Sequence, residues 1–206
     1  FFALAPNRCF LPEGEQRYTA VGLQLYSLRS ERNWGIGDLR DLREALPDLK
    51  AQGINCIGLN PLHALFERDA EQFSPYSPCS RVAWNTLIIC VEEVPEYSFC
   101  PEARDRTHSV EFERKLKSAR VSKFVDYGLV WDLKLEILQL LFQEFSKQLG
   151  AGGLRARAFE DFVQEGGESL ENSVLYSVLR EHFLALDPTY WGFPVWPEGY
   201  RHPGDT

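Results

Sequence analysis

An α/β fold is predicted by three features of this 206-residue chain. A strand–helix–strand pattern occupies residues 21–59, a loop-rich stretch runs over 60–108, and a helical region covers 109–187. In the first of these, Val21, Leu23 and Leu25 alternate with Gly22, Gln24 and Tyr26, the period of a strand over 21–27. Asp38 is placed to cap a helix, because its carboxylate can accept from unpaired first-turn amides. Leu39, Leu42, Leu46 and Leu49 then recur at helical spacing as a core-facing stripe, and Gly53 stands where a terminal glycine stops a helix. Pro47 lies inside that window and predicts a kink or a division. The apolar run 54–59 reads as a buried parallel strand, completing a βαβ unit.

Residues 1–20 read as the tail of a preceding region or a lead-in strand and linker, so that the chain is expected to be an internal piece of something longer. Prolines 61, 75, 78 and 95 punctuate the loop-rich stretch, which holds one strand-like run over 87–91. Leu133, Ile137, Leu141, Phe145 and Leu149 lie four apart, the stripe of a long amphipathic helix that Gly150 ends. Two further helices are expected near 155–165 and 168–186, before a Trp- and Pro-rich segment at 191–197.

Composition narrows the function classes. Hydrophobic residues make up 44% of the chain, enough for a real core. A net charge of −8 argues against nucleic acid, whose phosphates need clustered Lys and Arg. Five cysteines, an odd number without a C-x-x-C pair, indicate neither a disulfide framework nor a zinc site. No metal or cofactor is implied. The opening residues lack the basic start of a signal peptide, and no apolar stretch approaches the ~18 residues of a membrane span. The expectation is a cytoplasmic protein with no membrane partner.

Candidate residues divide between scaffold and ligand contact. Asn33-Trp34-Gly35-Ile36-Gly37-Asp38 matches neither the dinucleotide nor the Walker phosphate pattern. Its glycines fit a tight strand-to-helix turn, with Trp34 as core and Asp38 as a cap. Tyr76 stands in a Pro-flanked bend, Ser74-Pro75-Tyr76-Ser77-Pro78, where a phenol ring can meet the C–H face of a sugar with its hydroxyl free. Asn60 and Asn85 serve equally well as loop holders or as sugar ligands. His63, His108, His182 and His202 have no partners at ligand or triad spacing, and no G-x-S-x-G motif occurs. Glu92, Glu93, Asp126 and Asp132 are best read as solvated or capping groups.

Several blocks, in order, closely resemble the 4-α-glucanotransferases, the bacterial amylomaltases of glycoside hydrolase family 77. They are Leu23-Gln24-Leu25-Tyr26-Ser27-Leu28-Arg29-Ser30, the 33–38 block, Ile57-Gly58-Leu59-Asn60-Pro61-Leu62-His63-Ala64-Leu65-Phe66 and the 74–78 bend. The likeness continues through Val94-Pro95-Glu96-Tyr97 and returns weakly at 191–200. It covers most of 21–206.

The resemblance implies a partial (β/α)8 TIM barrel, its first strands followed by a helical insertion region. It implies a parent enzyme that moves α-1,4-glucan segments between maltodextrin chains, with starch or glycogen as sources, and that retains configuration. Such chemistry needs two carboxyl groups about 5 Å apart. In the family these lie in the second half of a barrel of about 250 residues, so no catalytic residue is expected here. The resemblance sets Tyr76 beside the transferred sugar and Ser74 within reach of its hydroxyls. The family pattern leads one to expect Asn-Pro at 85–86, Asp at 90 and a smaller apolar residue at 84. This chain has Asn85-Thr86, Cys90 and Trp84. A non-catalytic glucan-binding piece and a purely structural barrel fragment remain the alternatives.

Overall fold

The computed structural model describes residues 5–9, 18–66, 69, 72–150 and 152–205. Much of the expected lead-in segment lies outside them. Strand β1, Ala20–Leu23, pairs in parallel with β2, Cys56–Leu59, in the register Ala20 to Cys56 and Leu23 to Leu59. Helix α1, Leu39–Ala51, connects them, so the βαβ unit forms as its hydrophobic spacing predicts.

Its details differ from expectation in three ways. Strand β1 stops at Leu23, and Leu25–Ser27 turn into a 3-10 helix, because the Leu25 amide leaves the ladder and donates to Asn60 Oδ1 at 3.0 Å. Strand β2, expected to be buried, alternates exposed and half-buried residues, as β1 does in keeping with its period of two, and Leu39 and Leu46 on α1 are nearly half exposed. Pro47 does not divide α1. Its side is exposed, so the Arg43 carbonyl that loses an amide partner can turn to water. Strong ends help to keep the helix whole. Asp38 accepts from the Arg40 and Asp41 amides at 2.9 and 3.0 Å, Asp41 returns the bond to the Asp38 amide at 2.9 Å, and Gly53 closes the other end at φ 80°.

A second, antiparallel pair joins β3, His63–Ala64, to β4, Ser80–Trp84. The strand expected over 87–91 is not formed. Thr86–Ile88 and Val91–Glu93 are 3-10 turns whose Leu87, Ile88 and Val91 side chains are buried. That run is apolar because it is core, and its backbone is satisfied without a neighbouring strand. Asn85 Oδ1 accepts from the Leu87 amide at 2.9 Å, while Lys134 Nζ donates to the Leu87 and Ile89 carbonyls at 2.5 and 2.7 Å.

Helices follow: α2, Pro101–Thr107; α3, Val110–Val121; α4, Tyr127–Leu149; and α5, Leu154–Leu186. Helical structure thus begins before residue 109. The two expected terminal helices are one element broken at Gly167 (φ 48°), a conformation that favours glycine. The core is centred on α4, whose Val130, Leu133, Ile137 and Leu141 meet Trp34, Ile36, Leu87, Val91 and Phe112. The helical stripe is therefore packing, as its spacing predicts. Among the described residues no helix is long and apolar enough to cross a membrane.

Candidate functional site

Two parallel strands end together at Leu23 and Leu59, and the segments leaving those ends carry the family-like blocks. Loops beyond the carboxyl ends of parallel strands are where α/β folds place ligands. Asn60 fastens the two ends. Its amide donates to the Leu23 carbonyl at 3.3 Å, its Oδ1 accepts from Leu25, and its Nδ2 donates to the Pro61 carbonyl at 3.1 Å. Asn85 is likewise engaged as the cap of the Thr86–Ile88 turn. Both asparagines thus make hydrogen bonds that hold their loops.

The bend at 74–78 lies in the connection between β3 and β4. The Ser77 amide donates to the Ser74 carbonyl at 3.1 Å, closing a turn with Pro75 at the position where its fixed φ costs nothing. Tyr76 projects from that turn and is 66% exposed; Ser74 is exposed beside it. Both flanks are pinned. Phe73 stacks on Tyr127 of α4 at 4.8 Å between ring centres, and the Cys79 amide donates to the Ala64 carbonyl at 2.8 Å. An aromatic face is thereby offered to solvent on a fixed backbone. Burial pushes the Tyr127 hydroxyl up to about 12, so it stays protonated.

The 33–38 segment forms a braced turn rather than a ligand loop. Arg32 pairs with Asp38 at 2.7 Å and Asp41 at 2.8 Å. Burial alone would lower the Arg32 pKa, but the Asp38 hydrogen bond and the two aspartate charges more than offset it, so it is raised. Arg120 on α3 donates to the Asn33 and Arg32 carbonyls at 2.7 and 2.6 Å. Trp34 is buried edge-on to Phe112, its Nε1 donating to Glu92 at 2.7 Å. Cys90, at the position where the family pattern leads one to expect Asp, is buried beside Arg32. Its sulfur accepts from Arg32 Nη1 at 3.3 Å, a cation already held by two carboxylates. Burial first, then the nearby Asp38 and Glu92 charges, push the thiol up to about 11.

Three acidic side chains here serve the scaffold. Asp126 caps α4, Glu93 pairs with Arg43, and Glu96 with Arg155. Cys100, Glu102 and Glu144 come within metal-ligand distance of one another, but a Cys100–Glu102 contact and a Glu144–Lys147 ion pair account for them. His63 sits in β3, and His108 Nδ1 lies 2.6 Å from the Arg104 carbonyl. Sequence spacing missed Arg120, Lys134 and Arg180, since a long-range partner leaves no local periodic trace.

A family model described as 4-alpha-glucanotransferase matches residues 23–205. The chain belongs to that family, glycoside hydrolase family 77. A 4-alpha-glucanotransferase of Haemophilus influenzae is 33% identical over 184 residues, covering 87% of this chain and 26% of the relative. One from Mycobacterium tuberculosis is 31% identical over 210 residues, covering 97% and 27%. The crystal structure of amylomaltase from Corynebacterium glutamicum superposes with a TM-score of 0.61 at 26% identity, covering 79% of this chain and 22% of that one. The chain thus spans about a quarter of the length of these glucanotransferase relatives.

Proposed function

We propose that the chain supplies the sugar-holding part of a 4-α-glucanotransferase that moves α-1,4-glucan segments between maltodextrin chains. In this reading β1 and β2 are the first strands of a (β/α)8 barrel, 60–108 are its loops and 109–187 a helical insertion. The half-exposed faces of β1, β2 and α1 support it, because further strands and helices would cover them. The five free cysteines suit a reducing cytoplasm.

The observation that carries the reading is Tyr76, an exposed ring on a Pro-braced turn in a matched block. Its face meets the apolar side of a glucose, and its hydroxyl and that of Ser74 reach the sugar's hydroxyls. Asn60 and Asn85 act one step back by fixing the strand ends and the turn. Retaining transfer needs a nucleophilic carboxylate and a second acting as acid and then base. The family resemblance sets both carboxylates in the second half of the barrel, so we assign these two roles to other strands than β1 and β2. Binding without chemistry is the expectation for this chain.

The test is maltotriose disproportionation beside maltodextrin binding, both with the purified 206-residue chain. Saturable binding with no transfer supports the reading. Robust transfer that is abolished by mutating an acidic residue within the chain contradicts it.

A further inference from the structure

We propose that Arg180 is a positioning residue for the glucan contact, holding from helix α5 the β3–β4 connection that presents Tyr76. It rests on Tyr76 being that contact. Arg180 lies 111 residues away in sequence from Asp69, yet its Nη2 donates to Asp69 Oδ2 at 2.8 Å. The same guanidinium lies over the Phe66 ring, 4.9 Å from its centre. Arg180 is only 4% exposed. Its neighbours Phe66 and Cys79 border, with Arg180 and Tyr176, a cavity of about 370 Å³ under the connection.

The chain leaving β3 is therefore held at successive points before and after the bend. Arg180 holds Phe66 and Asp69, Tyr127 holds Phe73, and the Ala64 carbonyl holds Cys79. Of these contacts the Arg180–Asp69 pair is the charged one, and it comes from α5. Burying a guanidinium is costly unless it is paired, and Asp69, whose side chain is 22% exposed, pairs with Arg180 here. Arginine fits because one planar group can pair with a carboxylate at its edge and cover a ring with its face. Lysine can do the first but not both. Without Arg180 the Phe73–Tyr127 stack and the Cys79–Ala64 hydrogen bond would hold the bend alone, and a sugar would meet Tyr76 in the productive geometry less of the time.

The experiment uses the 206-residue chain in wild-type, Tyr76→Ala, Arg180→Ala, Arg180→Lys and Asp69→Asn forms. Amide exchange over 72–85 and affinity for maltoheptaose are measured in parallel. Arg180→Ala should speed exchange at Ser77 and Cys79 and weaken maltoheptaose about tenfold, with α4 amides unchanged. Asp69→Asn, which leaves the helix untouched, should reproduce part of the loss, and Arg180→Lys should restore part. Maltoheptaose should slow exchange at the bend in the wild type far more than in Arg180→Ala, a response that a merely structural role would not produce. Unchanged exchange at Ser77 and Cys79 in both Arg180→Ala and Asp69→Asn would overturn the positioning role. So would faster exchange with wild-type affinity while Tyr76→Ala binds poorly. Wild-type affinity in Tyr76→Ala would instead overturn the glucan assignment of Tyr76, and with it this role in binding, while leaving the exchange data as the separate record of the clamp.

Discussion

Gly37 lies against Leu25 so closely that a Cβ at position 37 would fall 2.0 Å from the Leu25 carbonyl oxygen and 2.7 Å from Leu28 Cβ. The obstacle is mainly backbone, which cannot swing aside as a long side chain can. This contact closes the turn from β1 into α1, and the Gly37 amide donates to the Tyr26 carbonyl at 3.3 Å. Gly37→Ala should therefore destabilise the chain by about 2–4 kcal/mol, the range of severe overpacking. Urea unfolding of the variant beside the wild type measures it, and a loss under ~0.5 kcal/mol would refute the close approach.

Gly53→Ala offers the contrast. Gly53 has φ 80° but open space where a Cβ would stand. Only the left-handed conformation is penalised, at about 1 kcal/mol. The same unfolding series should rank Gly37→Ala well above Gly53→Ala.

Acid should loosen the link between the Pro95–Phe99 turn and α5. Arg155 hydrogen bonds to the buried Glu96, with Nη2 at 2.9 Å from Oε2, and this holds the Glu96 carboxyl below its ordinary range of ~4.3 despite burial. A carboxyl whose folded pKa is depressed stabilises the fold above its unfolded pKa. That contribution fades as pH falls through the folded value. Arg155→Gln should cost about 1–2 kcal/mol at pH 7, since one partner is buried and the other half in water. The gap between variant and wild type should narrow below pH 4. A gap that is constant from pH 7 to pH 3 would show that the pair carries no pH-linked stability.

Much of the scaffold is legible in the sequence because it is local. The Asp38 cap, the α4 stripe, the Gly53 stop and the break at Gly167 each follow from short-range spacing or from one residue's backbone freedom. What misleads is the apolar run at 87–91. Burial against α4 and burial inside a sheet demand the same side chains, and the deciding partner is Lys134, over 40 residues on. The exposure of Leu39 and Leu46 is illegible for the same reason, because a helical stripe states which face is apolar and not what covers it. At the candidate site the Pro-flanked bend is readable, whereas its fastening by Tyr127 and Arg180 is not.

Thiol chemistry should sort the cysteines by environment. Cys56 is exposed on β2, whereas Cys90 is buried with its thiol pushed up to about 11. The thiolate is the reactive form, so at pH 8 an alkylating reagent should label Cys56 well before Cys90. Mass spectrometry of peptides after timed labelling reads this out. Equal labelling of the two under native conditions would mean that the Arg32–Cys90 contact is open in solution.

The most direct test of the glucan assignment compares the maltoheptaose affinity of Tyr76→Ala and Tyr76→Phe with that of the wild type. Phe keeps the ring and loses one hydroxyl, a neutral hydrogen bond of about 0.5–1.5 kcal/mol. Ala loses the ring as well, a comparable further amount beyond its buried area. Tyr76→Phe should thus bind a few-fold more weakly and Tyr76→Ala at least tenfold more weakly, with unchanged melting of the fold, since the ring is 66% exposed. Equal, near-wild-type affinities for both variants would contradict the account and make Tyr76 scaffolding.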